Sequence, residues 1–83
     1  MTIMEMKREL ERVLIKVCKE VESYSVKKVD CNTYELRKDI SYLRGEYSRF
    51  VTIGLYRVKK TSSGPCYQKK INNKWFTIDI YSI

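Results

Sequence analysis

The 83-residue sequence has no histidine and no alanine. Because histidine is missing, no Ser-His or Cys-His pair can activate a nucleophile, and no imidazole can complete a zinc site. The GxxxxGK and GxGxxG motifs that bind phosphate through backbone amides are missing too. We therefore expect a protein that is not an enzyme and needs no metal or cofactor. The enzymatic alternative is a small ribonuclease toxin that uses arginine, lysine and tyrosine instead of histidine.

Long apolar segments and cysteine motifs are scarce as well. The longest uninterrupted apolar run is Val13-Leu14-Ile15, whereas a membrane-spanning helix needs about 20 apolar residues. Acidic and basic residues interrupt the first apolar cluster, which argues against a signal peptide. The three cysteines, Cys18, Cys31 and Cys66, form no CxxC pair, so we expect reduced thiols. These features predict an intracellular, cytoplasmic protein without a membrane partner.

Length and composition bound the class of protein. A chain of 83 residues makes one domain and buries only about 60% of the surface of its unfolded state. The absence of alanine and the abundance of lysine, isoleucine and tyrosine indicate an AT-rich coding sequence, such as that of a virus or a mobile element.

An amphipathic helix is predicted from about residue 3 to residue 23. Its apolar side chains recur at spacings of three and four and form one stripe, which consists of Met6, Leu10, Val13, Leu14, Val17 and Val21. Charged residues of both signs occupy the remaining positions and pair at the same spacings. The repeat ends too early for a coiled coil, since position 20 is a glutamate. We therefore expect this helix to pack on a sheet.

The segment after the helix is less regular. Residues 24–31 predict a short strand, whereas residues 33–44 fit two different structures. Asn32 and Glu35 have the spacing of a capping box, and Gly45 has the position of a C-terminal cap, so the pattern predicts a second short helix. An edge strand is the alternative, because four large side chains share one parity: Tyr34, Leu36, Ile40 and Tyr42.

Residues 49–58 predict a strand that is apolar on both faces. We expect Val51, Ile53 and Leu55 to face the helix. The opposite face would then carry Phe50, Thr52, Gly54, Tyr56 and Val58. Residues 61–65 predict a turn because they contain glycine and proline.

A second hairpin is predicted around Asn72-Asn73, because asparagine tolerates the positive φ that a type I′ turn requires. Closing the turn there pairs Lys70 with Trp75. One face of the hairpin, which we expect to meet the helix, then carries Tyr67, Ile71, Phe76, Ile78 and Ile80. The other face carries Trp75, Thr77, Asp79 and Tyr81. The chain is therefore predicted to have an α+β fold, with an N-terminal amphipathic helix on a small, mainly antiparallel sheet.

Charge is concentrated in the second part of the chain. Residues 1–46 carry ten basic and nine acidic side chains, whereas residues 47–83 carry seven basic and one acidic. Exposed aromatic rings surrounded by cations suit single-stranded nucleic acid, because bases stack on rings and cations neutralise phosphates. The predicted binding surface consists of Tyr56, Lys59, Lys60, Lys70, Lys74, Trp75 and Tyr81, with Phe50 beside them. It requires Trp75, Tyr81 and Tyr56 to be exposed on one face.

Two functional hypotheses follow from this surface. The first is a non-enzymatic module that binds nucleic acid or a ribonucleoprotein through its basic, aromatic C-terminal sheet. The second is a protein-binding inhibitor or adaptor, such as a viral protein directed against host defence, which would bind an acidic protein partner through the aromatic face or an exposed strand edge. The alternative to a binding surface is a sheet face that is packed, or covered in a homodimer, with lysines that only keep the protein soluble.

Overall fold

The computed structural model describes residues 2–40 and 49–83. Helix α1 spans Ile3–Glu20 and begins at Thr2, whose side chain accepts a hydrogen bond from the backbone amide of Glu5 (3.2 Å). Met6, Leu10 and Leu14 are its buried residues, as the predicted stripe requires. The helix is three residues shorter than predicted, because residues 21–23 form a turn into the first strand.

Five antiparallel strands follow in the order of the sequence, so that each strand pairs with its neighbours along the chain. They are β1 (Tyr24–Lys28), β2 (Thr33–Asp39), β3 (Phe50–Thr61), β4 (Gly64–Ile71) and β5 (Lys74–Thr77). A 3₁₀ turn at Ile80–Ser82 ends the chain. One helix packed on an antiparallel sheet confirms the predicted α+β fold.

Residues 33–39 form a strand, so the second short helix is wrong for this segment. Asn32 and Glu35 do not form a capping box: the amide of Asn32 donates to Asp30 Oδ1 (2.9 Å), and the Glu35 carboxylate accepts from Thr52 Oγ1 (2.8 Å). Pairing with both β1 and β3 satisfies the backbone of β2. Residues 41–44, which both alternatives included, lie outside the described residues.

The core lies between α1 and one face of the sheet, which we call the inner face. Its buried apolar residues come from α1, β2, β3 and the 3₁₀ turn: Met6, Leu10, Leu14, Tyr34, Leu36, Tyr56, Val58 and Ile80. Val13, Val17, Cys18 and Ile78 pack against this cluster and are half-buried. The helix therefore packs through the predicted stripe from Met6 to Val17, whereas Val21 lies beyond the helix and is 37% exposed.

The predicted faces of β3 are wrong for residues 54–58, because Tyr56 and Val58 are each only 2% exposed and pack beneath α1. Beyond these residues the register agrees with the prediction: Val51 is on the inner face, although it is 48% exposed, and Phe50 and Thr52 are on the opposite face. Both faces of this strand are rich in apolar residues, so alternation alone does not say which face meets the helix. Leu55 lies opposite Glu35 in the β2–β3 register. Because Glu35 alternates with the buried Tyr34 and Leu36, both Glu35 and Leu55 are on the face away from the helix.

A β-bulge further divides β3. Leu36 pairs with Gly54, but the next residue, Arg37, pairs with Thr52, so Ile53 is an extra residue in the strand. Below the bulge the alternation is reversed, and Thr52 and Phe50 project from the face opposite Tyr56. Gly54 permits a close approach at this point, since a Cβ there would lie 2.7 Å from the buried Tyr56 ring.

The second hairpin is confirmed. Asn72 and Asn73 have φ values of 50° and 64°, as a type I′ turn requires. The predicted register is also observed, with Ile71 opposite Lys74 and Lys70 opposite Trp75. The inner face of this hairpin is covered only in part, because Ile78 is half-buried and Ile80 is buried, whereas Ile71 and Phe76 are 44% and 47% exposed.

Candidate nucleic-acid interface

The face of the sheet opposite α1, which we call the outer face, is open in the described structure. Within residues 2–40 and 49–83, the elements outside the sheet are α1 and the C-terminal 3₁₀ turn, which contact each other. Both lie on the inner side, since Leu10 and Ile80 belong to the core. Strand alternation places on the outer face one aromatic residue from β3, Phe50, and one from β5, Trp75.

Arg57, Gln68 and Trp75 form the first cluster on this face. Arg57 lies directly opposite Gln68 in the β3–β4 register, and its Nε donates a hydrogen bond to Gln68 Oε1 at 2.6 Å. The guanidinium carbon of Arg57 lies 4.1 Å from the centroid of the Trp75 ring. This distance is typical of a cation–π stack. Lys70, which is paired with Trp75, has its ammonium group 5.9 Å from the same ring.

Arg37 and Phe50 form the second cluster. The Arg37 guanidinium carbon lies 4.5 Å from the centroid of the Phe50 ring, and 47% of Phe50 remains exposed. Among the described residues, the buried Nε atom of Arg37 has no hydrogen-bond partner, and neither has the buried hydroxyl of Ser25, which lies opposite Arg37 in the β1–β2 register. The outer face thus carries two arginine–aromatic stacks.

Charge on the outer face is predominantly positive. Within the described strands, alternation places five cations there, namely Lys27, Arg37, Arg57, Lys59 and Lys70, and two acids, Glu35 and Asp39. Among the described residues, the one salt bridge is on the helix, between Arg12 and Glu9. None of the five cations is therefore held in a described salt bridge.

Three of the seven predicted site residues lie on the outer face: Lys59, Lys70 and Trp75. Lys59 and Lys70 are exposed and Trp75 is half-buried. Lys60 and Lys74 are also exposed, but alternation places them on the inner side. The predicted set is therefore divided between the two faces.

Tyr56 is not part of an aromatic surface, because its ring is buried in the core beneath the helix. The ammonium group of Lys69 lies 5.5 Å from the centroid of this ring, on the inner face. Lys69 thus occupies a half-buried position on the inner face with its charge over the Tyr56 ring.

Tyr81 lies on the helix side as well. After β5 the chain turns toward α1, and the Tyr81 hydroxyl donates a hydrogen bond of 2.7 Å to Glu9 Oε1. This bond raises the pKa of Tyr81. Hydrogen bonds from Arg12 and then from Tyr81 lower the pKa of the Glu9 carboxyl. The requirement that Trp75, Tyr81 and Tyr56 share one exposed face is not met.

Sequence reasoning missed Arg37 and Arg57, but it placed Phe50 correctly on the face opposite the helix, together with Trp75. The pairing of Arg57 with Gln68 could have been predicted from the turn. A two-residue turn at Ser62-Ser63 closes the β3–β4 hairpin, and this register sets the two residues opposite each other. Phe50 was also predicted to share that face with Tyr56, but the bulge puts the two rings on opposite faces.

Other kinds of site find little support in the described structure. Residues 2–40 and 49–83 contain no group of three potential metal ligands. Cys18, Cys31 and Cys66 are free, and partial burial raises the pKa of the Cys18 thiol, which makes it less reactive. The described helices include none that is long and apolar enough to cross a membrane.

No family model, curated protein or solved structure matches this chain. Its function must therefore be argued from the chemistry of the site.

Proposed function

We propose that this protein is a non-enzymatic binding module for single-stranded nucleic acid, alone or within a ribonucleoprotein, and that the outer face of the sheet makes the contact. The observation that carries the proposal is the pair of arginine–aromatic stacks, Arg37–Phe50 and Arg57–Trp75, on a face that no other described element covers and on which the described strands carry five cations and two acids. The binding surface is then Arg37, Phe50, Arg57, Lys59, Lys70 and Trp75.

The chemistry of the face favours a single strand over a duplex. Bases in a single strand expose their ring faces and can stack on aromatic side chains or on guanidinium planes. A broad sheet that carries such groups cannot enter the narrow grooves of a rigid duplex as a single helix or ribbon does. The cations beside the stacks, such as Lys59 and Lys70, supply contacts to phosphate. Three free cysteines are consistent with a cytoplasmic location for this activity.

Phe50→Ala and Phe76→Ala provide a matched test. Both phenylalanines are 47% exposed, but Phe50 lies on the outer face and Phe76 on the inner face. Binding to a labelled single-stranded oligonucleotide is measured by fluorescence anisotropy at about 0.15 M salt. Removing a stacking ring should weaken binding by about 5- to 150-fold, so we expect this loss for Phe50→Ala and an unchanged Kd for Phe76→Ala. Equal effects of the two variants would refute the outer-face site.

An acidic protein partner is the second candidate. The observation in its favour is an apolar part of the inner face that α1 leaves uncovered, where Val51, Ile71 and Phe76 are 48%, 44% and 47% exposed. A protein inhibitor or adaptor would combine this surface with the positive charge of the chain. In the same assay, this candidate predicts that polyglutamate displaces the oligonucleotide from the wild-type protein. It also predicts that Phe76→Ala weakens polyglutamate binding more than Phe50→Ala does.

A further inference from the structure

We infer that Arg57 is the phosphate receptor of the outer face and binds one phosphodiester group through its two Nη atoms, with Gln68 as the residue that positions it. This inference rests on the proposed function and identifies the residue that contacts the phosphate backbone of the nucleic acid. A guanidinium has five N–H donors, and the bond to Gln68 uses the one on Nε. The four N–H donors on the two Nη atoms have no hydrogen-bond or salt-bridge partner among the described residues.

The guanidinium of Arg57 is held in place before any ligand arrives. The hydrogen bond from Nε to Gln68 holds one edge of the group, and the Trp75 ring lies 4.1 Å from its carbon. Two contacts of different kinds therefore restrict both the position and the plane of the side chain. An arginine ordered in this way loses less conformational entropy when it binds an anion. Its paired Nη donors match the two oxygen atoms of a phosphodiester.

Arg37 differs from Arg57 in the hydrogen bonding of its Nε atom. It also stacks on an aromatic ring, but its buried Nε has no hydrogen-bond partner in residues 2–40 and 49–83. No described residue therefore sets the orientation of the Arg37 guanidinium as Gln68 does for Arg57. Arg37→Lys is accordingly the matched control for Arg57→Lys: both replacements keep the positive charge, and both remove a stacked guanidinium from the same face.

The test compares these two variants and Gln68→Met on two ligands of equal length, a single-stranded oligonucleotide and an abasic phosphodiester chain. We expect Arg57→Lys to weaken binding to both ligands by at least about tenfold, because a charge-assisted fork is replaced by a point charge. Arg37→Lys also replaces a stacked guanidinium by an ammonium, but of a group that no described residue orients, so it should weaken binding to each ligand clearly less than Arg57→Lys does. Gln68→Met keeps the side-chain volume but removes the acceptor for Arg57 Nε. It should therefore weaken binding strongly when Arg57 is present and should not weaken it further in the Arg57→Lys background. Thermal unfolding of each variant checks the fold.

The outcomes separate this inference from the function on which it rests. If wild type binds the oligonucleotide, Phe50→Ala weakens it, and Arg57→Lys behaves like Arg37→Lys, the receptor is refuted and the function stands. A loss for Arg57→Lys confined to the base-containing ligand would assign Arg57 to a base and also refute the receptor. If wild type binds both ligands equally and Arg57→Lys weakens both, the phosphate receptor stands and base stacking is refuted. Failure of wild type to bind either ligand refutes both proposals.

Discussion

Two adjacent lysines provide a direct test of which face binds. Lys59 and Lys60 are both exposed, but Lys59 pairs with Cys66 and projects from the outer face, whereas Lys60 pairs with Pro65 and projects from the inner face. The perturbation is the replacement of each lysine by glutamine. Both variants lose one unit of charge at neighbouring positions of the same strand, so long-range electrostatic effects are nearly equal. A difference between them reports contact with phosphate.

The size of the effect follows from the charges on the outer face. If all five outer cations contact phosphate, the logarithm of the binding constant should fall with the logarithm of salt concentration with a slope of about −3.5. Wild-type affinity should then drop about 130-fold between about 50 and 200 mM salt. Lys59→Gln should reduce the slope to about −2.8 and the drop to about 50-fold. Lys60→Gln should leave the wild-type slope in place.

Fluorescence anisotropy titrations with a labelled single strand at four or more salt concentrations would measure these slopes. The slope is more informative than a single Kd, since removal of any positive charge weakens binding slightly at low salt. Equal slopes for Lys59→Gln and Lys60→Gln would refute the assignment of binding to one face. A reduced slope for Lys60→Gln alone would place the contact on the inner side, where α1 lies.

Three further predictions concern stability and titration. Leu14→Ala should lower the free energy of unfolding in urea by about 2 to 5 kcal/mol because Leu14 is fully buried, whereas Ile15→Ala, at a position 40% exposed, should cost less than about 1 kcal/mol. Asn73→Gly should unfold at the same or a higher temperature than wild type. Asn73→Val should unfold lower by the equivalent of about 1 to 2 kcal/mol, because its φ is 64°; equal melting temperatures would contradict the turn. Tyr81→Phe removes a hydrogen bond that lowers the pKa of Glu9, so NMR titration should find that pKa raised. Because the pKa of Glu9 is lower in the folded than in the unfolded protein, the stability that Glu9 contributes is present at neutral pH. That stability is lost as the pH falls through the pKa of Glu9 in the folded protein.

Interactions between residues near one another in sequence were predictable. The apolar stripe of α1 reflects a spacing of three and four that is specific to a helix, and Met6, Leu10 and Leu14 are buried as that spacing requires. The Asn72-Asn73 turn was equally local, because asparagine tolerates positive φ and a two-residue loop sets the register of its strands. In both cases the physical cause lies within a few residues of its effect.

The composition of the outer face was decided by contacts distant in sequence. Residues 33–39 had the pattern of a helix as well as that of a strand, and pairing with β1 and β3 selected the strand. The bulge at Ile53 places Phe50 on the face opposite Tyr56, although the two residues share one parity. Alternation within a strand specifies which side chains share a face, but not which face the helix covers, where a bulge reverses the pattern, or where the chain goes after its last strand. Those depend on packing between elements, which brought Arg57 beside Trp75, buried Tyr56 and directed Tyr81 to Glu9.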